Sequence, residues 1–252
     1  MSVGIRKNVY FCSANNIKRH IMNVLQEEIN KKTSMYYSEI KDKLPKMEKE
    51  CPDGELTWFI AQCGDNYPKE YNTGIVFYGR ANNGWDPEVE HSMDELSQQS
   101  FRPFFYLIKS ITEKYYAQEW YSHIAWSNVC KIIPWNGGKN PSNALWYTQY
   151  KYMCDIIRAE LKVLQPHIVI VITGNTAGAR WDGPFFKDCE EEKYKICSKV
   201  WLAAEKNQKN HKDCTATLYK MDGRLYIITD RPESRPIEPH VECIFNLIEM
   251  YK

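Results

Sequence analysis

Short apolar runs alternate along the chain with segments in which apolar residues recur at helical spacing. Three runs, Ile75–Tyr78, His123–Ile133 and His167–Thr173, predict buried strands. The segments Phe104–Tyr116 and Ser142–Leu164 lie between these runs, carry their apolar residues on one face and predict helices. Strands that alternate with helices in this way indicate a parallel sheet with helices packed on its faces.

The end of the chain adds a hairpin to this pattern. The runs Thr215–Lys220 and Arg224–Thr229 flank Asp222-Gly223, a dipeptide that favours a tight turn between antiparallel strands. Helices are expected at Val200–Ala204 and from Pro239 onward. We therefore predict an α/β fold of three layers, α/β/α, around a central, mostly parallel four-stranded sheet with one antiparallel hairpin strand.

The beginning of the chain has a weaker pattern. A short strand is predicted at Asn8–Cys12, one helix over Ile17–Ile29 and a second over Met35–Leu44, which Pro45 is expected to end. A short helix is expected near Thr57–Ala61.

The composition bounds the class of protein. The 252 residues include 33 Lys and Arg and 32 Asp and Glu, so the net charge does not by itself indicate nucleic-acid binding, although a local basic groove is compatible with it. Residues 1–70 are interpreted as a helical N-terminal extension packed on a main domain, residues 71–252, because so short a segment buries little core alone. Without a long apolar run or a signal-like N-terminus, we expect a cytoplasmic protein with no membrane partner. We also expect a monomer. The nine cysteines form no C-x-x-C pair, which favours reduced, buried thiols, with no metal and no cofactor.

A loop rich in glycine and asparagine follows the first predicted strand. The sequence Gly79-Arg80-Ala81-Asn82-Asn83-Gly84 contains residue types that tolerate left-handed backbone. In open α/β sheets, ligands bind at the carboxyl ends of the strands, where this loop is expected to lie. The loop lacks the Lys-Ser/Thr of a phosphate-binding loop, and the chain contains neither G-x-G-x-x-G after a strand nor the G-x-S-x-G of a serine hydrolase. A site of another kind is expected, the alternative being that Asn82–Gly84 forms only a turn.

Three segments follow predicted strands: Gly79–Gly84 after the first, Ser127–Cys130 with Gly138–Ser142 after the second, and Asp230–Ser234 after the last. In their order and spacing, they resemble the motifs of the uracil-DNA glycosylase superfamily. The first, Gly79–Gly84, is similar to the Gly-Glu-Ala-Pro-Gly and Gly-x-Asn-Pro-Gly loops of several branches. The second, Ser127–Cys130, resembles the Asn-Leu-Cys-type motif of the single-strand-selective branch and is followed by Gly138–Ser142. The third, Asp230–Ser234, stands in the place of a His-Pro-Ser loop. The resemblance covers about residues 74–250 and implies a diverged member of the superfamily with its α/β fold.

The resemblance implies that the protein removes uracil or a related damaged base from single- or double-stranded DNA. Such an enzyme holds an unstacked base in a pocket, where the amide of Asn128 offers a donor and an acceptor to a pyrimidine. Arg231 is expected to stabilise the departing base anion, and Asn82 or Asp86 to position the water. Base contacts are expected from Gly79, Arg80, Ala81, Asn83, Asn128 and Ser234, with Trp85 or Trp135 stacking on the base.

Two residues depart from the family pattern. Arg80 stands where one branch has its glutamate, and Arg231 stands where the family uses histidine. Asn128 has the alternative role of satisfying buried backbone, and Arg231 that of pairing with a carboxylate near a helix. His123 and His167 begin apolar strands and are interpreted as structural. A base-excising hydrolase, a catalytically diverged module that binds a nucleobase, nucleotide or nucleic-acid strand, and a nucleotide-processing enzyme unrelated to DNA therefore stay open.

Overall fold

The computed structural model describes the chain in ten segments, which are residues 24–48, 56–70, 73–81, 93–116, 118–134, 141–174, 181–187, 194–201, 214–233 and 235–251. The strand predicted at Asn8–Cys12 and the beginning of the helix predicted from Ile17 lie outside these segments.

Helices and strands alternate through most of the described chain. In order, they are α1 (Val24–Glu48), β1 (Leu56–Trp58), β2 (Gln62–Cys63), β3 (Gly74–Gly79), α2 (Met93–Gln98), α3 (Pro103–Thr112), β4 (Ile124–Asn128), β5 (Ile132–Pro134), α4 (Asn143–Leu164), β6 (Pro166–Ile172), β7 (Lys195–Trp201), β8 (Cys214–Met221), β9 (Arg224–Thr229) and α5 (Ile237–Tyr251). Among these helices, none is long and apolar enough to cross a membrane.

Seven strands form one mixed sheet in the order β2-β4-β3-β6-β9-β8-β7. The four central strands, β4, β3, β6 and β9, pair in parallel, which confirms the predicted mostly parallel centre. The flanking strands pair antiparallel: β2 with β4, β8 with β9, and β7 with β8. The sheet thus has three antiparallel pairings where the sequence predicted one, and β1 and β5 form a separate antiparallel pair.

Successive residues of the central strands pack into different hydrophobic clusters. In β3, Ile75 and Phe77 pack in a cluster with residues of α3 and α5, whereas Val76 and Tyr78 pack in a second cluster with residues of α4. Because both faces of this strand are covered, every residue from Gly74 to Gly79 is buried. A strand covered on both faces reads as a continuous apolar run, as this one does.

The N-terminal helix is longer than predicted. One helix, α1, spans Val24–Glu48 and replaces the two helices expected over Ile17–Ile29 and Met35–Leu44. The intervening residues 30–34 contain no glycine or proline, so nothing in them ends a helix. The helix continues past Pro45 to Glu48, so the prediction that Pro45 ends it is wrong.

Three local predictions were wrong because distant pairing decides the structure. Thr57 lies in β1 rather than a helix, since Leu56–Trp58 pairs with Ile132–Pro134. That pairing also divides the single strand predicted at His123–Ile133 into β4 and β5. Val200 lies in β7, which pairs with β8 instead of forming the predicted helix. Strand pairing of this kind depends on partners far away in sequence, so a local pattern does not reveal it.

Other predictions agree with the structure. The helix predicted over Ser142–Leu164 is α4, and Ser142 caps it by accepting a hydrogen bond from the Leu145 amide (3.1 Å). Asp222 and Gly223 turn between β8 and β9 with φ of 51° and 74°, the left-handed backbone that this dipeptide favours. Buried thiols include Cys63, Cys130, Cys154, Cys214 and Cys243.

Candidate functional site

The carboxyl ends of β4, β3, β6 and β9 lie side by side at one edge of the sheet. The chain passes from β3 to β4 on one side and later returns to β6 on the other side of β3. The connections therefore leave in opposite directions between β3 and β6, which is the place where open α/β sheets form a ligand-binding crevice. We call this part of the molecule the carboxyl edge.

Gly79 and Asn128 are direct neighbours at the carboxyl edge. They are paired in the register of β3 and β4, and the Gly79 carbonyl accepts a hydrogen bond from the Val129 amide (2.8 Å). A Cβ atom at position 79 would lie 2.5 Å from Oδ1 of Asn128 and 3.1 Å from the ring of Phe104. Glycine is therefore required for the Asn128 amide to occupy its position, where it is 1% exposed. The structure brings together these two residues from the first and second motifs.

Arg80 fills the crevice between β3 and β6. Its Nε donates a hydrogen bond to the carbonyl of Thr173, and its guanidinium carbon lies 5.1 Å from the ring centroid of Trp181. Gly174 has φ of +108°, and a Cβ there would lie 2.7 Å from Nη2 of Arg80. The guanidinium is thus fixed by the end of β6, where the resemblance would have had a glutamate. Ala81 is half-buried and packs against the cluster that contains α4.

The end of β9 carries two arginines that are both paired with carboxylates. Nη2 of Arg231 lies 2.5 Å from Oε1 of Glu233, and the two side chains are 41% and 42% exposed. This contact is the alternative expected for Arg231, a pairing with a carboxylate. The less exposed Arg235 lies 3.3 Å from Asp230, and it donates to the Arg231 carbonyl (2.7 Å). The backbone after β9 is therefore braced by Arg235 and Asp230.

A buried ion pair lies beneath the ends of β3 and β4. Nζ of Lys131 is 2.7 Å from Oε1 of Glu160, and neither side chain has any exposure. The Ser127 hydroxyl lies 2.7 Å from Nζ and donates to the carboxylate, which also accepts a hydrogen bond from the Tyr78 hydroxyl (3.0 Å). Burial lowers the pKa of Lys131, and the negative charge of Glu160 partly opposes that effect. Burial, and to a smaller extent the charge of Glu160, raises the pKa of Tyr78 well above its usual range.

This pair was not predicted from the sequence, although both residues interrupt an apolar pattern. Lys131 stands between Cys130 and Ile132, and Glu160 lies four positions after Ile156 on the buried face of α4. A single charge on an apolar stripe is the available signal that a buried partner exists. Which residue serves as the partner depends on tertiary structure.

His240 is a third polar residue of this region that was not predicted from the sequence. It is buried on α5, and its Nε2 lies 2.8 Å from the hydroxyl of Thr229 at the end of β9. That hydroxyl donates to the carbonyl of Thr215 (2.9 Å). Burial, together with the positive charge of Arg235, lowers the pKa of His240 to about 4, so the ring is neutral at pH 7. Its ring supports the end of β9 from within the core.

Several predicted site residues lie outside the described segments. These are Asn82, Asn83, Trp85, Asp86, Trp135 and Ser234. The ring of His123 stacks on Tyr116 at a centroid distance of 4.3 Å, in keeping with a structural histidine. Of the predicted site, the structure therefore describes Gly79, Arg80, Ala81, Asn128 and Arg231.

No protein-family model matches the sequence, and a comparison with curated proteins found no match either.

Proposed function

We propose that the protein is a DNA glycosylase that removes uracil or a related damaged base and holds the base at the carboxyl edge. The contact between Asn128 and Gly79 is the observation that supports this proposal most directly. The first and second motifs of the family resemblance meet there, with the side-chain amide packed on a glycine that leaves room for it. A three-layer α/β/α arrangement belongs to the same proposal, and it is supported by the packing of β3 residues against helices in two separate clusters.

In the proposed reaction, water adds to C1′ of the deoxyribose while the bond from C1′ to the base nitrogen breaks. The electron pair of that bond leaves with the base, which departs as an anion and takes up a proton. An amide such as that of Asn128 pairs with the N3–H and O4 of a pyrimidine and selects the base. Asn82 or Asp86 positions the water, and Arg231 stabilises the anion after leaving Glu233.

A module that binds a nucleobase without cleaving it is the second candidate. The positions of two arginines favour this candidate. Arg80 is held by Thr173 and Trp181, and Arg231 is paired with Glu233 and so is not free to contact a base anion. The glycosidic reaction builds positive charge on the sugar, and a fixed guanidinium nearby opposes that charge. Binding of a neutral base involves no such cost.

A base-excision assay tests the proposal. Single- and double-stranded oligonucleotides that carry uracil, hypoxanthine or xanthine are incubated with the protein and treated with hot alkali, which cleaves the strand at a site that has lost its base. The protein is expected to cut at least one substrate, and Asn128→Ala is expected to abolish the cut. Asn66→Ala is the matched control, because Asn66 is exposed and bonds Ser122 at the opposite end of β4.

Failure to cut any substrate contradicts the glycosylase proposal. Equilibrium binding of the same oligonucleotides then distinguishes the second candidate. Binding that is lost in Asn128→Ala but kept in Asn66→Ala supports a module that holds a base. Equal binding by all three proteins, or no binding at all, contradicts both candidates.

A further inference from the structure

A concave pocket lies at the opposite edge of the sheet, where the parallel strands begin. It is formed by the last turns of α4, the short turn at Gly183–Phe185 and the hairpin between β8 and β9. Its volume is about 340 Å³, which is at the lower end of the range for small-molecule sites. We call it the hairpin pocket. It shares no lining residue with the carboxyl edge.

Positive charge dominates the described lining of the hairpin pocket. Four cationic side chains line it, which are Arg158, Lys162, Lys187 and Arg224. Asp222 is the carboxylate among the described lining residues. The charge of Arg158 is shared with Asp155, which lies 3.3 Å away. Since the whole chain carries a formal net charge of only +1, this concentration of cations is a local feature.

Arg224 combines a buried atom with a side chain that lines the pocket. Its Nε is buried and has no hydrogen-bond partner among the described residues, while the side chain as a whole is half-buried. Because the buried Nε is out of reach of a molecule in the pocket, an anion there would accept hydrogen bonds from the part of the guanidinium that lines the pocket. Arginine and lysine are also the side chains that bind phosphate groups most often.

Apart from Gln165, the remaining described lining is apolar. It is formed by Ile157, Leu161, Pro184, Phe185, Met221 and Tyr226. An apolar wall beside a cationic rim suits a ligand with a charged group at one end and a less polar body at the other. The small volume fits a molecule of about the size of a sugar phosphate or a nucleoside monophosphate.

We propose that the hairpin pocket binds a phosphorylated small molecule, with the phosphate held by Lys187 and Arg224 beside Lys162. This site is separate from the carboxyl edge and does not depend on the proposed function. The phosphate is the shared chemistry, and it could belong to inorganic phosphate, a sugar phosphate or a nucleotide.

Titration calorimetry at low salt tests this proposal with four probes: inorganic phosphate, pyrophosphate, glucose 6-phosphate and UMP. At least one probe is expected to bind with one site per chain, and the tightest probe identifies the source of the phosphate. Lys187→Gln and Arg224→Gln are each expected to weaken that binding about tenfold, since each removes a charge-assisted hydrogen bond. Lys151→Gln is the matched control, because Lys151 is an exposed lysine of the same helix, α4, that does not line the pocket.

Arg224→Lys keeps the positive charge and serves as a second variant in case Arg224→Gln fails to fold. It is expected to bind the phosphate probe more tightly than the glutamine variant. No saturable binding of any probe would overturn the proposal, and so would equal weakening by Lys151→Gln. Binding of a single-stranded oligonucleotide alone, lost in Lys187→Gln, would also overturn it and would assign the pocket to a nucleic-acid strand. Asn128→Ala is expected to bind the phosphate probes normally, so failure of either proposal leaves the other standing.

Discussion

The stability of the carboxyl edge is expected to depend on the ion pair of Lys131 and Glu160, whose charges have no access to water. At the observed separation of 2.7 Å, their attraction is about 6 kcal/mol for an effective dielectric constant of about 20. Desolvation of the two ions offsets much of this attraction. The net contribution of the pair is therefore small, whereas removal of one partner leaves an uncompensated charge in the core.

We expect Lys131→Met to lower the free energy of unfolding by about 3–5 kcal/mol. Glu160→Gln is expected to cost a similar amount, because it leaves the Lys131 ammonium without its counter-charge. The double variant is expected to recover most of the loss: glutamine can still bond Ser127 and Tyr78, and no charge remains buried. Because total stability is only about 5–15 kcal/mol, the single variants will be close to unfolding.

Urea denaturation, followed by circular dichroism, measures these values in a double-mutant cycle. Lys109→Met is the matched control, since Lys109 forms a pair with Glu113 at 3.7 Å in which both side chains are substantially exposed. An exposed pair of this kind contributes about 0–1 kcal/mol. Strictly additive losses in the double variant, or a loss in Lys131→Met no larger than in Lys109→Met, would refute the reasoning.

Two further predictions concern the ends of β3 and β9. Gly79→Ala is expected to lower the free energy of unfolding by about 1–3 kcal/mol and to displace the Asn128 amide, because the new Cβ would lie 2.5 Å from its Oδ1. Urea denaturation measures this loss. An equal loss in the control Gly183→Ala, whose nearest contact would be 3.1 Å, would contradict the explanation. Stability is expected to fall by about 3 kcal/mol as the pH falls from about 6.5 to about 4, because His240 takes up a proton over this interval in the unfolded chain but not in the folded one. Denaturation of His240→Gln at the same pH values should lack that part of the decrease, and an unchanged pH dependence would show that other groups cause it.

The elements that could be predicted are those whose structure is determined by their own local sequence. β3 and β6 are buried on both faces and therefore appear as continuous apolar runs, and the Asp222-Gly223 turn specifies its hairpin through its backbone preference. The separate pair of β1 and β5 could not be predicted in this way. Each of these strands has only three residues, and each is defined by its partner rather than by its own pattern.

In the candidate site, too, some residues could be placed from the local sequence and others could not. The motif residues Gly79 and Asn128 could be placed at one edge because they end predicted parallel strands. The supporting residues could not, since the contact between Lys131 and Glu160 and that between His240 and Thr229 join different elements. Sequence identified which residues end the strands, and tertiary structure was needed to show what holds those ends in place.

Arg80 and Arg231, the two residues that depart from the motifs that the loops resemble, bear directly on the choice between the two proposed functions. Arg80 puts a fixed positive charge in the crevice between β3 and β6, where a glutamate would favour positive charge on a sugar. Arg231 can offset this only if it leaves Glu233 and contacts the departing base anion. Under the proposed function, excision therefore requires the Arg231 side chain to leave Glu233, whereas binding of a neutral base does not involve this step. For this reason the response of Asn128→Ala in both the excision and the binding assay is the comparison that separates the two functions.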